Sequence, residues 1–171
     1  MGYPGGAVIE KLARDGNVNS ISFPRAYLSK KSLDFSFSGV KTAVSLYVEK
    51  WRKSGTNDRS TALADIAASF QESVVDVLVA KLLMAMAKTG VRSVAAAGGV
   101  ACNKRLRDKL LEAAANAGGR VYYPRPGYCT DNGAMIAVAG YHRLLHGERA
   151  DHSMDVRSKY PISDLPALNI G

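Results

Sequence analysis

The sequence predicts an α/β domain, and three observations support that prediction. Apolar residues recur at helical spacing over long stretches, most clearly across residues 60–88. Two short apolar segments, residues 93–96 and 121–124, have the length and composition of strands. Each is followed by a glycine-bearing loop and another helical pattern, and this alternation favours parallel strands with helices packed on them.

The first third of the chain predicts two helices and two strands. A turn rich in Gly and Pro, residues 1–6, leads into a short helix over residues 7–14. Residues 21–24 and 33–38 alternate apolar with polar side chains, which predicts two half-buried strands that pair like a hairpin. The spacing then changes to three and four, which predicts an amphipathic helix over residues 40–51.

The remainder predicts three helices and two strands. A polar loop over residues 54–59 precedes the long helix 60–88, and a strand, glycine loop and helix follow over residues 93–117. After the second strand, either Thr130 or Asp131 is expected to cap the last helix, because both residue types accept a hydrogen bond from the first turn.

Composition narrows the functional classes. The chain has 171 residues, 47% of them hydrophobic, which suits one ordinary domain with a real core. It contains neither a long apolar stretch nor the pattern of an export signal, so the sequence predicts a cytoplasmic protein without a membrane segment. The net charge of +8 is typical of a protein with a polyanionic partner such as RNA, although each basic cluster alone also suits a solvated surface.

Two cysteines, Cys102 and Cys129, lie in the two loops that follow the strands of the second half. This placement could bring them near each other in space. Because nothing else of ligand type clusters with them in the sequence, we interpret them as small buried thiols and not as a redox or metal site.

The glycine loops suit a nucleotide. Gly98 and Gly99 allow a close approach of backbone to ligand, and Asn103 offers both a donor and an acceptor for a ribose or a base. The same loop also suits simple packing of a helix on a strand. His142 and His146 have the spacing of a metal pair, but no glutamate follows His142 at the spacing of a zinc peptidase. The rise of a helix also places them too far from Asp131 for the three side chains to hold one ion, so we interpret them as a surface helix end.

Five motifs, taken in order and spacing, resemble the C-terminal half of the TsaD family, also called Gcp or O-sialoglycoprotease-like proteins. They are MGYPGG, LDFSFSGVKTAV, DIAASFQESVVDVL, AAGGVACNKRLR and YPRPGYCTDNGAMIAVAGYHR, and they cover about residues 2–147. The resemblance implies a tRNA N6-adenosine threonylcarbamoyltransferase with the two-lobed actin/Hsp70/sugar-kinase-like (ribonuclease H-like) fold. Residues 1–147 would be the second, C-terminal lobe, incomplete in itself, and residues 148–171 an extended tail, so we expect a part of a larger protein.

The resemblance also implies a substrate site. Gly6 and Asn103 fall at the family's contacts with ATP or threonylcarbamoyl-adenylate. Glu10 falls where the family often has an acidic group for the ribose hydroxyls, and Gly98 and Gly99 would form the floor of the pocket. No residue is assigned a catalytic role with certainty.

For the metal, the resemblance makes Asp131 a ligand of one divalent ion, iron or zinc, whereas the family's two histidines belong to an HxxxH motif that lies before YPGG and is missing here. One carboxylate supplies one ligand, and a catalytic site needs about three from protein, so the site in this chain is expected to be incomplete. Lys41 would lie near the same cleft, either as an anion contact or as a solvent-facing helix residue.

The family comparison implies transfer of a threonylcarbamoyl group to the N6 amine of a tRNA adenosine next to the anticodon, with Lewis-acid help from the metal. The expected partners are tRNA and TsaB-like and TsaE-like proteins. We expect the chain alone to be inactive, to bind nucleotide weakly at best, and to self-associate through uncovered apolar area. The alternative is a non-catalytic nucleotide-binding or scaffolding lobe; a metallopeptidase is disfavoured, because no general-base glutamate has the required spacing.

Overall fold

The computed structural model describes residues 5–27, 31–53 and 59–153, together with residues 155 and 161. It divides into two compact units, Met1–Thr130 and Asp131–Gly171. None of the helices in the described ranges combines the length and hydropathy that a membrane span requires.

Helices dominate the first unit, and a small parallel sheet completes it. Its described elements, in chain order, are α1 (Gly5–Ala13), α2 (Ser38–Lys53), α3 (Arg59–Thr89), β1 (Ser93–Ala95), α4 (Lys104–Asn116) and β2 (Arg120–Tyr122). Two 3₁₀ turns, Gly99–Cys102 and Pro126–Tyr128, follow the two strands. The described part of the second unit contains one helix, α5 (Gly133–Leu145). The α/β class is therefore confirmed.

The predicted helices are confirmed, as are the two strands of the second half. The first helix begins at Gly5, so the predicted turn at residues 1–6 does not extend that far; residues 1–4 lie outside the described ranges. Most of the predicted loop at residues 54–59 and most of the tail at residues 148–171 also lie outside them. The boundary at residue 147 between lobe and tail stays a prediction.

Helix α3 is the scaffold of the first unit, because α1, α2 and α4 all pack against it. With 31 residues it is about 46 Å long at 1.5 Å per residue, long enough to serve three separate groups of neighbours. Each of three small cores contains at least one buried α3 residue; the buried members are Ala13, Ala67 and Ala68, then Phe23, Val40 and Ile66, then Val75, Leu106 and Leu110.

The sheet is a two-stranded parallel pair connected through α4. Val94 stands opposite Val121, and Ala95 stands opposite Tyr122. Parallel strands require such a crossover, and here the crossover helix packs on both β2 and α3. The loop that leaves β1 and the start of α4 are thereby held at one end of the sheet.

The predicted strands at residues 21–24 and 33–38 are wrong: residues 21–24 and 33–37 are irregular, and Ser38 begins α2. Side chains of α3 satisfy backbone polar groups within the first segment and just before the second, where a strand would use a neighbouring strand. Ser69 Oγ accepts a hydrogen bond from the Ile21 N–H at 3.1 Å, and Lys81 Nζ donates to the Ser32 carbonyl at 2.6 Å. The alternation in the second segment does not mark a buried face either, since Leu33 and Phe35 are each about 40% exposed.

Helix α5 carries many exposed apolar side chains. Ile136 is 75% exposed and Leu145 is 65% exposed, and Met135, Val138, Tyr141 and Leu144 are exposed as well. Exposed apolar area of this kind favours association. The self-association expected from the sequence stays a prediction.

A cluster of ion pairs joins α3 to α4. Arg105 forms a two-pronged pair with the buried Glu72, with both N···O distances at 2.7 Å. Lys109 Nζ lies 2.5 Å from Glu72 Oε1 and also contacts Asp76, which in turn pairs with Arg25 at 2.9 Å. The hydrogen bond from Arg105 lowers the pKa of Glu72 from 4.5 to about 2, because it and the bond from Lys109 outweigh burial, which raises the pKa.

We predict that Glu72→Gln lowers the free energy of unfolding by about 1–3 kcal/mol at pH 7, because two cations then face a neutral amide in a largely buried position. Urea unfolding of the two proteins measures the difference. Glu49→Gln is the matched control, since Glu49 pairs with Lys53 on an exposed face of α2 and its loss should cost less than about 1 kcal/mol.

The pH dependence of that difference follows from the depressed pKa. The folded protein holds the Glu72 carboxylate ionised down to about pH 2, whereas the unfolded chain protonates it near 4.5. The stabilisation is therefore complete above pH 4.5 and is lost as the pH falls from 4.5 towards 2. A difference between Glu72→Gln and the parent that stays constant across this range would contradict the assignment.

Gly16 lies against α3 where a side chain has no room. A Cβ placed on Gly16 would stand 2.9 Å from the Ala68 Cβ and closer still to the Ala64 carbonyl. We predict that Gly16→Ala lowers the free energy of unfolding by about 1–3 kcal/mol, because the segment after α1 must move away from α3. Gly39→Ala is the control, since a Cβ there meets no atom within 4 Å; equal losses in both would refute the contact.

Candidate nucleotide cavity

The glycine loop after β1 makes a compact turn before α4 begins. Gly98 has φ +88°, a conformation that favours glycine, and its carbonyl accepts a hydrogen bond from the Ala101 N–H at 3.0 Å. The 3₁₀ turn Gly99–Cys102 follows directly. The predicted loop and helix start are therefore present. The short 3₁₀ turn between them was not predicted.

Asn103 is held at both ends of its amide group. Its Oδ1 caps α4 by accepting a hydrogen bond from the Leu106 N–H at 2.9 Å. Its Nδ2 donates to Gln71 Oε1 at 2.8 Å, across to α3. Because the cap requires the oxygen on one side, the nitrogen must face Gln71, so the orientation of the amide follows from the helix start.

Gln71 is a site residue that sequence reasoning missed. A signal was present, since Gln71 follows Ala67 by four residues and precedes Val74 by three, on the apolar stripe of the long helix. A polar amide on such a stripe indicates a partner inside the protein. Here that partner is Asn103.

Glu10 connects α1 to the start of α4. Its Oε1 accepts a hydrogen bond from the Lys104 N–H at 2.9 Å. A carboxylate at this place satisfies one of the helix's unpaired N–H groups and opposes the positive end of its dipole. The acidic residue that the family resemblance assigned to a ribose therefore also has a structural role.

A cavity of about 600 Å³ opens inside the first unit beside these groups. Four of the five predicted substrate residues line it: Gly6, Glu10, Gly99 and Asn103. Gly98 does not line it, and contributes the backbone turn that precedes Gly99. The rest of the wall is mostly apolar and includes Ile9, Phe70, Val74, Val75, Leu78 and Leu106. A pocket of this size with a few polar groups suits a small organic ligand with one flat apolar face.

Lys41, the other residue considered for an anion, does not line this cavity. It lies exposed on α2, and its backbone N–H donates to the Phe37 carbonyl at 3.0 Å. The alternative interpretation as a solvent-facing helix residue agrees with this position.

The two thiols lie close together, as their loops suggested. Cys129 is buried, as the sequence suggested, whereas Cys102 is only half-buried on the cavity wall; neither is in a disulfide. Burial raises the pKa of the Cys102 thiol, and a side-chain hydrogen bond with Cys129 adds to the rise.

In the second unit, the cap of α5 is Asn132 and not Asp131 or Thr130, which corrects the sequence prediction. Asn132 Oδ1 accepts a hydrogen bond from the Met135 N–H at 3.2 Å. The backbone of Asn132 is extended and leads directly into the first turn, so its side chain is the one in reach. Asp131 is exposed, and its carboxylate is not needed as the helix cap.

The histidine pair ends a helix, as predicted. His146 is the C-cap of α5, and its Nδ1 lies 2.7 Å from the His142 carbonyl. Across the described residues, no group of three or more His, Cys, Asp or Glu side chains could hold a metal ion.

Comparison with known proteins identifies the family. The TsaD family model, described as tRNA N6-adenosine threonylcarbamoyltransferase, matches residues 1–138. The chain is a member of the TsaD family. A curated protein of that description from Desulfitobacterium hafniense is 47% identical over 170 residues, and one from Syntrophotalea carbinolica is 46% identical over 162 residues.

These alignments cover 99% and 95% of this chain, but only 47% and 46% of the relatives. The chain therefore spans less than half the length of the TsaD relatives it matches. The cavity lies within the region that the family model covers, from Gly6 to Thr130.

We predict that Asn103→Ala lowers the free energy of unfolding by about 1 kcal/mol or more, because it removes a helix cap and leaves Gln71 without this donor. Asn103→Asp keeps the capping oxygen and should cost less than half as much. Asn116→Ala, at the exposed last position of α4, is the control and should have little effect. Equal losses for the Ala and Asp variants at residue 103 would show that the cap is not the main contribution.

Proposed function

We propose that this chain forms part of a tRNA N6-adenosine threonylcarbamoyltransferase. The enzyme would move the threonylcarbamoyl group from threonylcarbamoyl-adenylate to N6 of the tRNA adenosine next to the anticodon. The observation that supports this most is the cavity, which brings together Gly6, Glu10, Gly99 and Asn103 from separate stretches of the chain. Membership of the TsaD family supports the choice of reaction.

The cavity would hold the adenylate part of the substrate. Its apolar wall suits the face of an adenine ring, and the amides of Asn103 and Gln71 supply hydrogen-bonding groups at its edge. Glu10 uses one oxygen for the start of α4, and a carboxylate has a second oxygen that can accept from a ribose hydroxyl. Gly99, which has no side chain, permits close approach of the ligand to the backbone.

In the proposed reaction, the N6 amine of the adenosine attacks the carbonyl carbon of the threonylcarbamoyl group. The bond to the adenylate phosphate oxygen breaks, AMP leaves, and the amine gives up one proton. The part of this chain is to fix the adenylate, so that the carbonyl carbon is presented in one orientation.

We also propose that the first unit belongs to the second lobe of an actin/Hsp70/sugar-kinase-like (ribonuclease H-like) fold. The parallel pair β1 and β2 joined through α4 supports this. So does the position of the glycine loop, which lies after the carboxyl end of β1, where α/β proteins commonly bind ligands.

Asp131 is proposed as one ligand of an iron or zinc ion. The donor set of the described residues does not fit a complete site, because a catalytic ion needs about three protein ligands and no such group is present among them. Partner residues would have to come from a segment such as the one that the family places before YPGG. No step of the proposed reaction is assigned to the ion.

The proposed partners are tRNA and TsaB-like and TsaE-like proteins, in the cytoplasm. The net charge of +8 supports a polyanionic partner, since neutralising phosphates releases their counterions. A non-catalytic nucleotide-binding lobe is the second candidate, and one observation favours it: the cavity is formed within this chain.

A transfer assay separates the two candidates. We predict no threonylcarbamoyl transfer to tRNA by this chain alone, and transfer once it is joined to the N-terminal half of the Desulfitobacterium hafniense relative. In the joined protein, Asp131→Asn should lower the rate by about 100-fold or more and reduce bound metal. His146→Asn is the matched control and should change neither.

The assay also has outcomes that would overturn the proposal. Transfer by the chain alone would show that no further segment is needed. A joined protein that binds ATP but transfers nothing would favour the non-catalytic lobe.

A further inference from the structure

The two cysteines share one stretch of backbone. Cys102 Sγ lies 3.6 Å from the Pro126 carbonyl oxygen, and the same oxygen accepts a hydrogen bond from the Cys129 N–H at 3.2 Å. Cys129 Sγ in turn lies 3.6 Å from the Pro124 carbonyl. The two residues, 27 positions apart in the sequence, therefore meet at a single acceptor.

Arg107 contacts the backbone beside Cys102 and the side chain of Cys129. Its Nε donates to the Ala101 carbonyl at 2.5 Å, next to Cys102, and its Nη2 lies 3.2 Å from Cys129 Sγ. The guanidinium also lies over the Tyr123 ring at 4.9 Å from the centroid, and Tyr123 donates back to the Arg107 carbonyl. The two cysteines are thus held by a frame of several contacts.

The thiols differ in access. Cys102 is half-buried and faces the cavity, so a small molecule that enters the cavity can reach it. Cys129 is only 1% exposed, so it is reached from Cys102 and hardly from solvent. This arrangement suits an accessible attacking thiol with a second, resolving thiol behind it.

We propose that Cys102 and Cys129 form a reversible disulfide on the wall of the cavity. Cys102 sulfur attacks a small disulfide such as oxidised glutathione, which gives a mixed disulfide and releases one glutathione thiol. Cys129 sulfur then attacks the mixed disulfide, forms the Cys102–Cys129 bond and releases the second glutathione thiol. The protein loses two electrons and two protons, and the small disulfide gains both.

Oxidised glutathione and mass spectrometry of the natively folded chain test this. We expect a loss of about 2 Da, reversed by a reductant. Trypsin should yield a linked pair of peptides, residues 93–104 and 121–143, since the bond between Arg125 and Pro126 resists cleavage. Cys129→Ser should instead retain glutathione on Cys102, and Cys102→Ser should react slowly, because Cys129 is buried.

Two outcomes would overturn the proposal. One is stable glutathione on Cys102 of the parent chain without linked peptides. The two Cα atoms would then lie outside the separation of about 4.4–6.8 Å that disulfides usually have, so the sulfurs could not bond. The other is linked peptides that form only in denaturant, which would mean that the folded frame holds the thiols apart.

An effect of the disulfide on nucleotide binding is a separate expectation, which rests on the proposed function and is measured as ATP affinity. Because Cys102 is part of the cavity wall, the oxidised chain should bind ATP several-fold more weakly or more tightly than the reduced chain. Linked peptides with unchanged ATP binding would refute only this coupling. Absence of ATP binding in both forms would count against the proposed nucleotide site and leave the disulfide intact.

Discussion

The start of α4 is the constraint on which the rest of the cavity depends. The first N–H groups of any helix have no partner within the helix, and here two of them are satisfied by different side chains. Asn103 accepts from Leu106, and Glu10 accepts from Lys104. Since Asn103 also bonds to Gln71, this one helix start fixes α1, α3 and the glycine loop relative to one another. The cavity is the space that remains between them, with those same polar groups on its wall.

Helix α3 supports that arrangement by holding α4 along its length as well as at its start. Glu72 pairs with Arg105 and Lys109, and Val75, three residues further along α3, packs with Leu106 and Leu110 of α4. The ionic contacts restrict the rotation of α4, because a two-pronged carboxylate–guanidinium pair has a narrow geometry. The apolar contacts supply the favourable burial. Because α3 contributes to three separate cores, its sequence is apolar on more than one side.

The sequence predicted the parts of the fold that depend on local pattern. Helical spacing located every helix of the described chain, and glycine placement located the loop after β1. The strand predictions at residues 21–24 and 33–38 failed. Ser69 of α3 bonds to backbone in the first segment, and Lys81 of α3 bonds to the Ser32 carbonyl just before the second, in place of a neighbouring strand. Alternation along one segment cannot reveal a partner that far away in sequence. The cap of α5 was misassigned by one or two residues, since Thr130, Asp131 and Asn132 are all good capping types and only backbone geometry selects Asn132.

The proposed site residues differ in their structural roles. Glu10 and Asn103 have structural hydrogen bonds, so a loss of activity on changing either one would mix loss of fold with loss of ligand contact. A site built from capping groups has an advantage in return, because its polar atoms are already fixed before a ligand arrives. Asp131 is the opposite case: Asn132 supplies the cap, so the fold of α5 does not require the carboxylate. A change at Asp131 therefore tests the proposed metal ligand without removing the cap of α5.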